Sequence, residues 1–371
     1  MNWKQSRYGQ SGKRPLNHPK KRLFAPLPEK ENADCLQARH KFANVIANTV
    51  PASCVNSVFK AMNIGDNDSE INNNDDNNDI KTTIVDAEWN DTMCNTDSAS
   101  SMTCAPSMID IAKPFKCDPG QCSEDHVKTF IASIPKLTNE QVHITEQSTI
   151  GQSENELWFY ARKGRITASK FYNIFTKVNT LKDNASKRSK DVSTLIDAIM
   201  SDNAPDLPAL KYGRNMECEA KQKYLQLRKH HKDLQTNNCG LFLDKDKPYI
   251  GASPDLLVYC SCCEYGLVEC KCPYKIRHTE PSNVNLDYIT FEPQSNTYKL
   301  KRNHSYYAQV QGQMAITQRP WCDFLVYTAH GYILERIYFD EKYWNGILQN
   351  LVYFFENYLA EALILESVKP L

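Results

Sequence analysis

The densest chemistry in the chain lies between Gly251 and Pro273, GASPDLLVYCSCCEYGLVECKCP, where Asp255 is followed, across one Cys-rich turn, by Glu269 and Lys271. Residues two apart in a strand project from the same face, so Glu269 and Lys271 share one. Asp255 opens a neighbouring apolar run, 256–259, and the turn at 260–265 brings the two strands side by side. Two carboxylates and one amine then converge. That grouping suits hydrolysis of a phosphodiester with a divalent cation, because hard oxygen ligands hold Mg²⁺ while leaving positions open to water and phosphate. Lys271 would orient or deprotonate the attacking water and offset charge building at phosphorus. An ion pair on a sheet surface is the competing reading.

Three further segments offer partners. Glu217 and Glu219 stand in YGRNMECEA, 212–220, in the first half of an expected helix. Two residues along a helix turn through about 200°, so only one can reach a metal; a solvated helix face is the alternative. In LWFYARKGRITASK, 157–170, Arg162 and Arg165 precede a helix start bearing Thr167 and Ser169. Guanidinium forks, hydroxyls and free backbone N–H groups make a phosphate pocket. Helix capping by Thr167 would explain the threonine alone. In YYAQVQGQMA, 306–315, Gln309 and Gln313 are four apart and share a helix face. Gln309 is expected at the site, Gln313 on the solvent side.

The cysteines invite a second metal. Cys260, Cys262 and Cys263, with Cys270 and Cys272 across the hairpin, could give thiolates to zinc or an iron–sulfur cluster. The C-x-C-C and C-x-C spacings lack the usual C-x₂-C knuckle, and free or buried thiols are the better reading.

Around these residues the expected elements are helices at 156–162, 167–177, 191–201, 214–229, 305–317 and 341–365, with strands at 240–243, 256–259, 267–271, 323–327 and 332–338. The polar stretch 281–301 reads as a loop. Helices before and after a mixed sheet make an α/β sandwich. Residues 1–140 are rich in Asn, Asp, Ser, Pro and Lys and poor in periodic apolar positions, so most of them are expected to be disordered ahead of one folded domain at 150–371. Within that tail, 36–50 has helical apolar spacing, and KRPLNHPKKR at 13–22 is similar to a nuclear localisation signal or a solvated basic arm. The formal net charge of zero over 371 residues conceals this asymmetry. No apolar run approaches a membrane span and the N-terminus has no apolar signal core. A soluble intracellular protein with its fourteen cysteines reduced is expected, nuclear if the host is eukaryotic.

Taken in order, WFYARKGRITASKF, YGRNMECEA, GASPDLLV, GLVECKCPYKIR and YYAQVQGQMA resemble the lambda exonuclease and YqaJ-type viral recombinase family of PD-(D/E)xK nucleases. The resemblance implies a restriction-endonuclease-like α/β core and a 5′ to 3′ exonuclease on double-stranded DNA ends that depends on Mg²⁺ or Mn²⁺. It also implies a ring-forming homotrimer paired with a single-strand annealing protein, in recombination or repair. Carried over by motif, Glu217, Asp255, Glu269 and the Cys270 backbone carbonyl would ligate metal, leaving Glu219 aside. Lys271 would activate water, Arg162, Ser169 and Ser253 would hold the terminal 5′-phosphate, and Gln309 and Arg277 would lie near the scissile phosphate. The long tail and the CSCCE turn depart from the phage pattern. An endonuclease on the same fold, and a non-catalytic DNA- or zinc-binding module, are the alternatives.

Overall fold

The computed structural model describes residues 103–201 and 207–365. The basic arm at 13–22 and the helical stretch at 36–50 lie outside the described residues. Two runs rich in β-branched and aromatic residues form β9 (Trp321–Thr328) and β10 (Gly331–Tyr338), an antiparallel hairpin joined across 329–330. β9 pairs in parallel with β6 (Glu264–Lys271), which pairs antiparallel with β5 (Leu256–Cys260), and β5 with β2 (Gln235–Asn237). The result is a five-stranded mixed sheet in the order β10-β9-β6-β5-β2. A smaller sheet joins β1 (Ile166–Thr167), β4 (Ile250–Ala252) and β3 (Phe242–Leu243), and β7 (Ile289–Glu292) pairs with β8 (Thr297–Leu300).

The helices are α1 (Met108–Ala112), α2 (Glu124–Ser133), α3 (Asn139–Ser148), α4 (Glu156–Arg162), α5 (Phe171–Lys182), α6 (Ser193–Met200) and α7 (Pro208–Arg228), then α8 (Ser305–Thr317), α9 (Glu341–Phe354) and α10 (Ala360–Ile364). α8 is buried on most of its circumference. Its Val310 and Met314 pack on Leu267, Phe324 and Val326 on one face of the large sheet. On the other face Ala220 and Tyr224 of α7 pack on Val258, Val268, Cys270 and Leu325. The two-residue period of β6 therefore decides the site: Leu267, Glu269 and Lys271 look toward α8, while Val268 and Cys270 look toward α7. Behind α8, the third layer is α5, α9 and α10 with α1 and α2. α8 approaches α5 closely because position 312 is glycine: a Cβ there would sit 2.2 Å from the Phe171 ring.

Asp323, fully buried on β9, fixes α7 to the sheet. It accepts from Tyr224 Oη at 2.9 Å, Arg228 Nη2 at 2.9 Å and Arg336 Nε at 2.8 Å. Burial alone would raise this carboxyl; hydrogen bonds and charge from Arg336, then Arg228 and Tyr224, hold it below the usual carboxylate range.

The α/β sandwich agrees with the sequence expectation, and α8 and α4 fall where periodicity puts them. Three expectations need correction. Order begins earlier than residue 140, with α1, α2 and α3 between 108 and 148, and Met108 and Phe130 fully buried. The polar stretch 281–301 contains the β7–β8 hairpin. Thr167 lies at the end of β1 and caps nothing; a 3₁₀ turn, Ala168–Lys170, leads into α5. Among the described residues no helix is long and apolar enough to cross a membrane.

Candidate active site

β5 begins at Leu256 opposite Val268, so the last turn of β6 runs on without a strand beside it on that side. The side chain of Asp255 takes the strand's place. Its Oδ2 accepts the Cys270 backbone N–H at 2.6 Å, which sets the carboxyl beside Glu269. Glu269 is 2 % exposed. Its Oε1 accepts from Lys271 Nζ at 2.5 Å and from Gln309 Nε2 at 2.6 Å, and its Oε2 accepts from Gln313 Nε2 at 2.8 Å. Lys271 Nζ also donates to Gln309 Oε1 at 3.2 Å and lies 4.5 Å from the centre of the Tyr306 ring. β6 and α8 thus interlock through one buried carboxylate.

Glu217 reaches the same place from α7. It pairs with Lys221 at 2.7 Å, one helical turn on, and its charge is felt at Asp255. Burial, then Glu269, then Glu217 push the Asp255 carboxyl well above its usual range, against Lys271 and the Cys270 N–H. Burial draws the Lys271 ammonium down, but Glu269 and Asp255 outweigh it and the net shift is upward. Three carboxylates face two ammonium groups, an excess of anionic charge in a partly dehydrated place. All the donors are hard oxygens, and Gln313 Oε1 is buried with no partner among the described residues. This donor set fits a small divalent cation. Glu219 points elsewhere, toward Tyr327.

A second cluster lies along α4. The Arg162 guanidinium stacks 3.8 Å above the Trp158 ring and donates to Thr167 Oγ1 at 3.3 Å. Trp158 Nε1 donates to Ser253 Oγ at 2.9 Å, and the Ser253 carbonyl meets Gln313 at 3.5 Å. Burial lowers Arg162 to about 10, and Lys170 is lowered by burial and by Arg162 itself. Among the described residues neither cation has a carboxylate partner. Two neighbouring cations without counter-charge are a chemistry suited to an anion.

The structure therefore brings together Glu217, Asp255, Glu269, Lys271 and Gln309, and links Arg162 with Ser253. It does not join every residue named from sequence. Ser169 is exposed on its 3₁₀ turn, and the side-chain hydrogen bonds of Arg162 and Ser253 go to Thr167 and Trp158 instead. Arg277 is held by Tyr274, over the ring at 4.1 Å and donating to the carbonyl at 3.0 Å. Arg165 is no phosphate ligand: it is buried, donating to the carbonyls of Pro248 at 2.7 Å, Pro106 at 2.5 Å and Ala161. Gln313, expected in solvent, is fully buried on Glu269, because α8 is covered on nearly every side. Lys170 and Lys221 were missed although the signals were local: Lys170 closes the segment 157–170, and Lys221 stands four residues after Glu217, the spacing of a helical ion pair.

Comparison with known proteins places residues 157–320, which include nearly all of these groups, in a match to the YqaJ-like viral recombinase domain. Over 234 residues the chain is 24% identical to the alkaline nuclease of Autographa californica nuclear polyhedrosis virus, matching 56% of this chain and 49% of that protein. The chain thus spans about half the length of this curated relative. Among solved structures, an alkaline exonuclease from Laribacter hongkongensis is 26% identical, with a TM-score of 0.40, over 57% of this chain and 94% of that one. The shutoff and exonuclease protein of Kaposi's sarcoma-associated herpesvirus is 14% identical, with a TM-score of 0.37, over 64% and 77%.

Proposed function

Residues 157–320 belong to the YqaJ-like viral recombinase family, and from that premise we propose that the protein is a metal-dependent DNA exonuclease acting on linear duplex ends from 5′ to 3′. The observation that carries this reading is the convergence of Glu217, Asp255, Glu269 and Lys271, from three separated segments, around one excess of anionic charge.

Glu217, Asp255 and Glu269 would hold the cation, Mg²⁺ or Mn²⁺, together with the Cys270 backbone carbonyl. When bound, the cation supplies Lewis acidity at the phosphate and a water of lowered pKa. Lys271, fixed by Glu269 and Gln309, orients the attacking water and offsets charge developing on the phosphate oxygens. Gln309 and Gln313 hold the Glu269 carboxylate in one rotamer, leaving one lone pair, on Oε2, that would be free for the cation. Arg162, with Ser253 and Lys170, would receive the terminal phosphate, and stacking on Trp158 keeps the guanidinium plane fixed. Ser169 and Arg277 join these groups only if DNA draws them in. Nuclear residence, an annealing partner and trimer formation belong to the same proposal, with a nuclease domain of 150–371 and α1 and α2 packed against it.

The experiment is digestion of end-labelled linear duplex and of covalently closed circles by the purified chain, with and without Mg²⁺ or Mn²⁺. Cation-dependent shortening from the 5′ end, lost in Lys271→Ala and Asp255→Asn, is expected. Cutting of closed circles would instead mark an endonuclease, and cleavage unimpaired in both variants would sink the assignment of roles.

A further inference from the structure

At the far end of β6 from the acidic cluster, Cys260 ends β5, Cys262 and Cys263 stand in the turn before β6, and the turn between α7 and β2 lays His231 against them. His231 Nδ1 is 3.1 Å from Cys262 Sγ, 3.4 Å from Cys260 Sγ and 3.5 Å from Cys263 Sγ. Cys262 Sγ is 3.5 Å from Cys260 Sγ and 3.9 Å from Cys263 Sγ, and all four donor atoms lie within 4.8 Å of one another. Zinc at about 2.3 Å from sulfur and about 2.05 Å from nitrogen would space tetrahedral sulfurs about 3.8 Å apart and nitrogen about 3.5 Å from each. The sulfur–sulfur spacings of 3.5 and 3.9 Å bracket the first edge, and the nitrogen–sulfur spacings of 3.1, 3.4 and 3.5 Å fall at or below the second. None of the sulfurs is bonded to another.

The alternative, a knot of thiols around an imidazole, accounts poorly for what holds the ring. His231 is buried, and the polar contacts of its ring run through Nδ1. Its hydrogen-bonding contacts are thus three thiols, which are weak partners. Four donors this close suit one ion and are too near together for an iron–sulfur cluster, which spreads its ligands over several irons. Cys270 and Cys272 take no part, packing instead with α7 and the sheet. Three thiolates and one imidazole would leave zinc with one net negative charge, and Arg336, which interacts with Cys263, lies beside them.

We propose that His231, Cys260, Cys262 and Cys263 form a structural zinc site that ties the α7–β2 turn to the β5–β6 turn. The ion is distinct from the one proposed for the acidic cluster. Cys263, one residue ahead of β6, stands six residues before Glu269, about 20 Å, and His231 fourteen residues after Glu217, mostly along α7, again about 20 Å. Zinc would brace the outer ends of the two elements whose other ends carry Glu217, Glu269 and Lys271. A closed Cys₃His set, with no ligand position left for water, fits that bracing role.

The test titrates the reduced, metal-stripped full chain with Co²⁺ and then Zn²⁺. Intense thiolate-to-cobalt absorption, bleached by about one equivalent of zinc, is expected in the wild type and in Asp255→Asn. It should be lost or markedly weakened in Cys262→Ser and His231→Ala. Should either variant fail to fold, alkylation in the wild type gives an independent readout, with zinc protecting the exposed Cys262. Absence of the charge-transfer band, a band unchanged by Cys262→Ser, or equal Cys262 labelling with and without zinc would each overturn the proposal.

Discussion

Replacing Asp323 by asparagine tests how α7, and with it Glu217, is held to the sheet. Asp323 accepts from Tyr224, from Arg228 Nε and Nη2, and from Arg336 Nε and Nη2. The side chains of Arg228 and Arg336 are only 13% and 16% exposed. Asparagine keeps one acceptor oxygen and points an N–H₂ group at a guanidinium. Two nearly buried cations then lack an anion, and breaking a buried pair in this way costs about 3–5 kcal/mol. Against a domain stability of roughly 5–15 kcal/mol that is a large fraction. Urea unfolding followed by tryptophan fluorescence is a sensitive readout, since Arg336 stacks 3.8 Å from the Trp321 ring. The midpoint should fall with little change in slope. Because the folded carboxyl lies below its unfolded value, its contribution is present above the unfolded pKa of about 3.9 and is lost as pH falls further. The gap between wild type and variant should therefore close in acid. A loss under about 1 kcal/mol at neutral pH would refute the buried-clamp reasoning, since that is what an exposed pair gives.

Gly312→Ala puts a methyl 2.2 Å from the Phe171 ring and should cost about 1–3 kcal/mol by overpacking, read as a lower melting temperature. Burial pushes the Glu335 carboxyl up to about 7 despite the Leu300 N–H and Lys299. Its folded pKa is raised, so its stabilising share is full below the unfolded value of about 4.5 and is lost as pH rises through about 7. Glu335→Gln should remove up to about 3 kcal/mol of that dependence, measured by unfolding at pH 4.5 and 7.5. Arg162→Gln should reduce the preference for 5′-phosphorylated over 5′-hydroxyl duplex ends while leaving the fold intact, and an unchanged ratio of rates would count against the anion site.

Much of this molecule was legible in the chain because its cues are local. The two-residue period of LVECK puts Glu269 and Lys271 on one face, and the helical period of YYAQVQGQM marks α8. What stayed hidden depends on distant packing. Gln313 looks like a surface residue until α5, α9 and the sheet enclose α8 on most of its circumference. Arg165 looks like a phosphate ligand until the carbonyls of Pro106 and Pro248 arrive from remote segments. His231 is about thirty positions from the cysteines it meets, and no spacing rule would pair them. The short strands β1 and β4 carry too few residues to show a period, and α1 and α2 are short apolar islands behind a polar tail, whose Met108, Ala112 and Phe130 are buried against a layer that includes the distant α10.

The central claim is that Glu217, Asp255 and Glu269 share one cation, and Mn²⁺ binding followed by electron paramagnetic resonance tests it without relying on cleavage. Binding should weaken at least tenfold in Asp255→Asn and Glu269→Gln, by loss of a charged ligand worth more than about 1.4 kcal/mol. It should persist in Lys271→Ala, where no ligand is removed. Equal Mn²⁺ affinity across wild type, Asp255→Asn and Glu269→Gln would contradict the account.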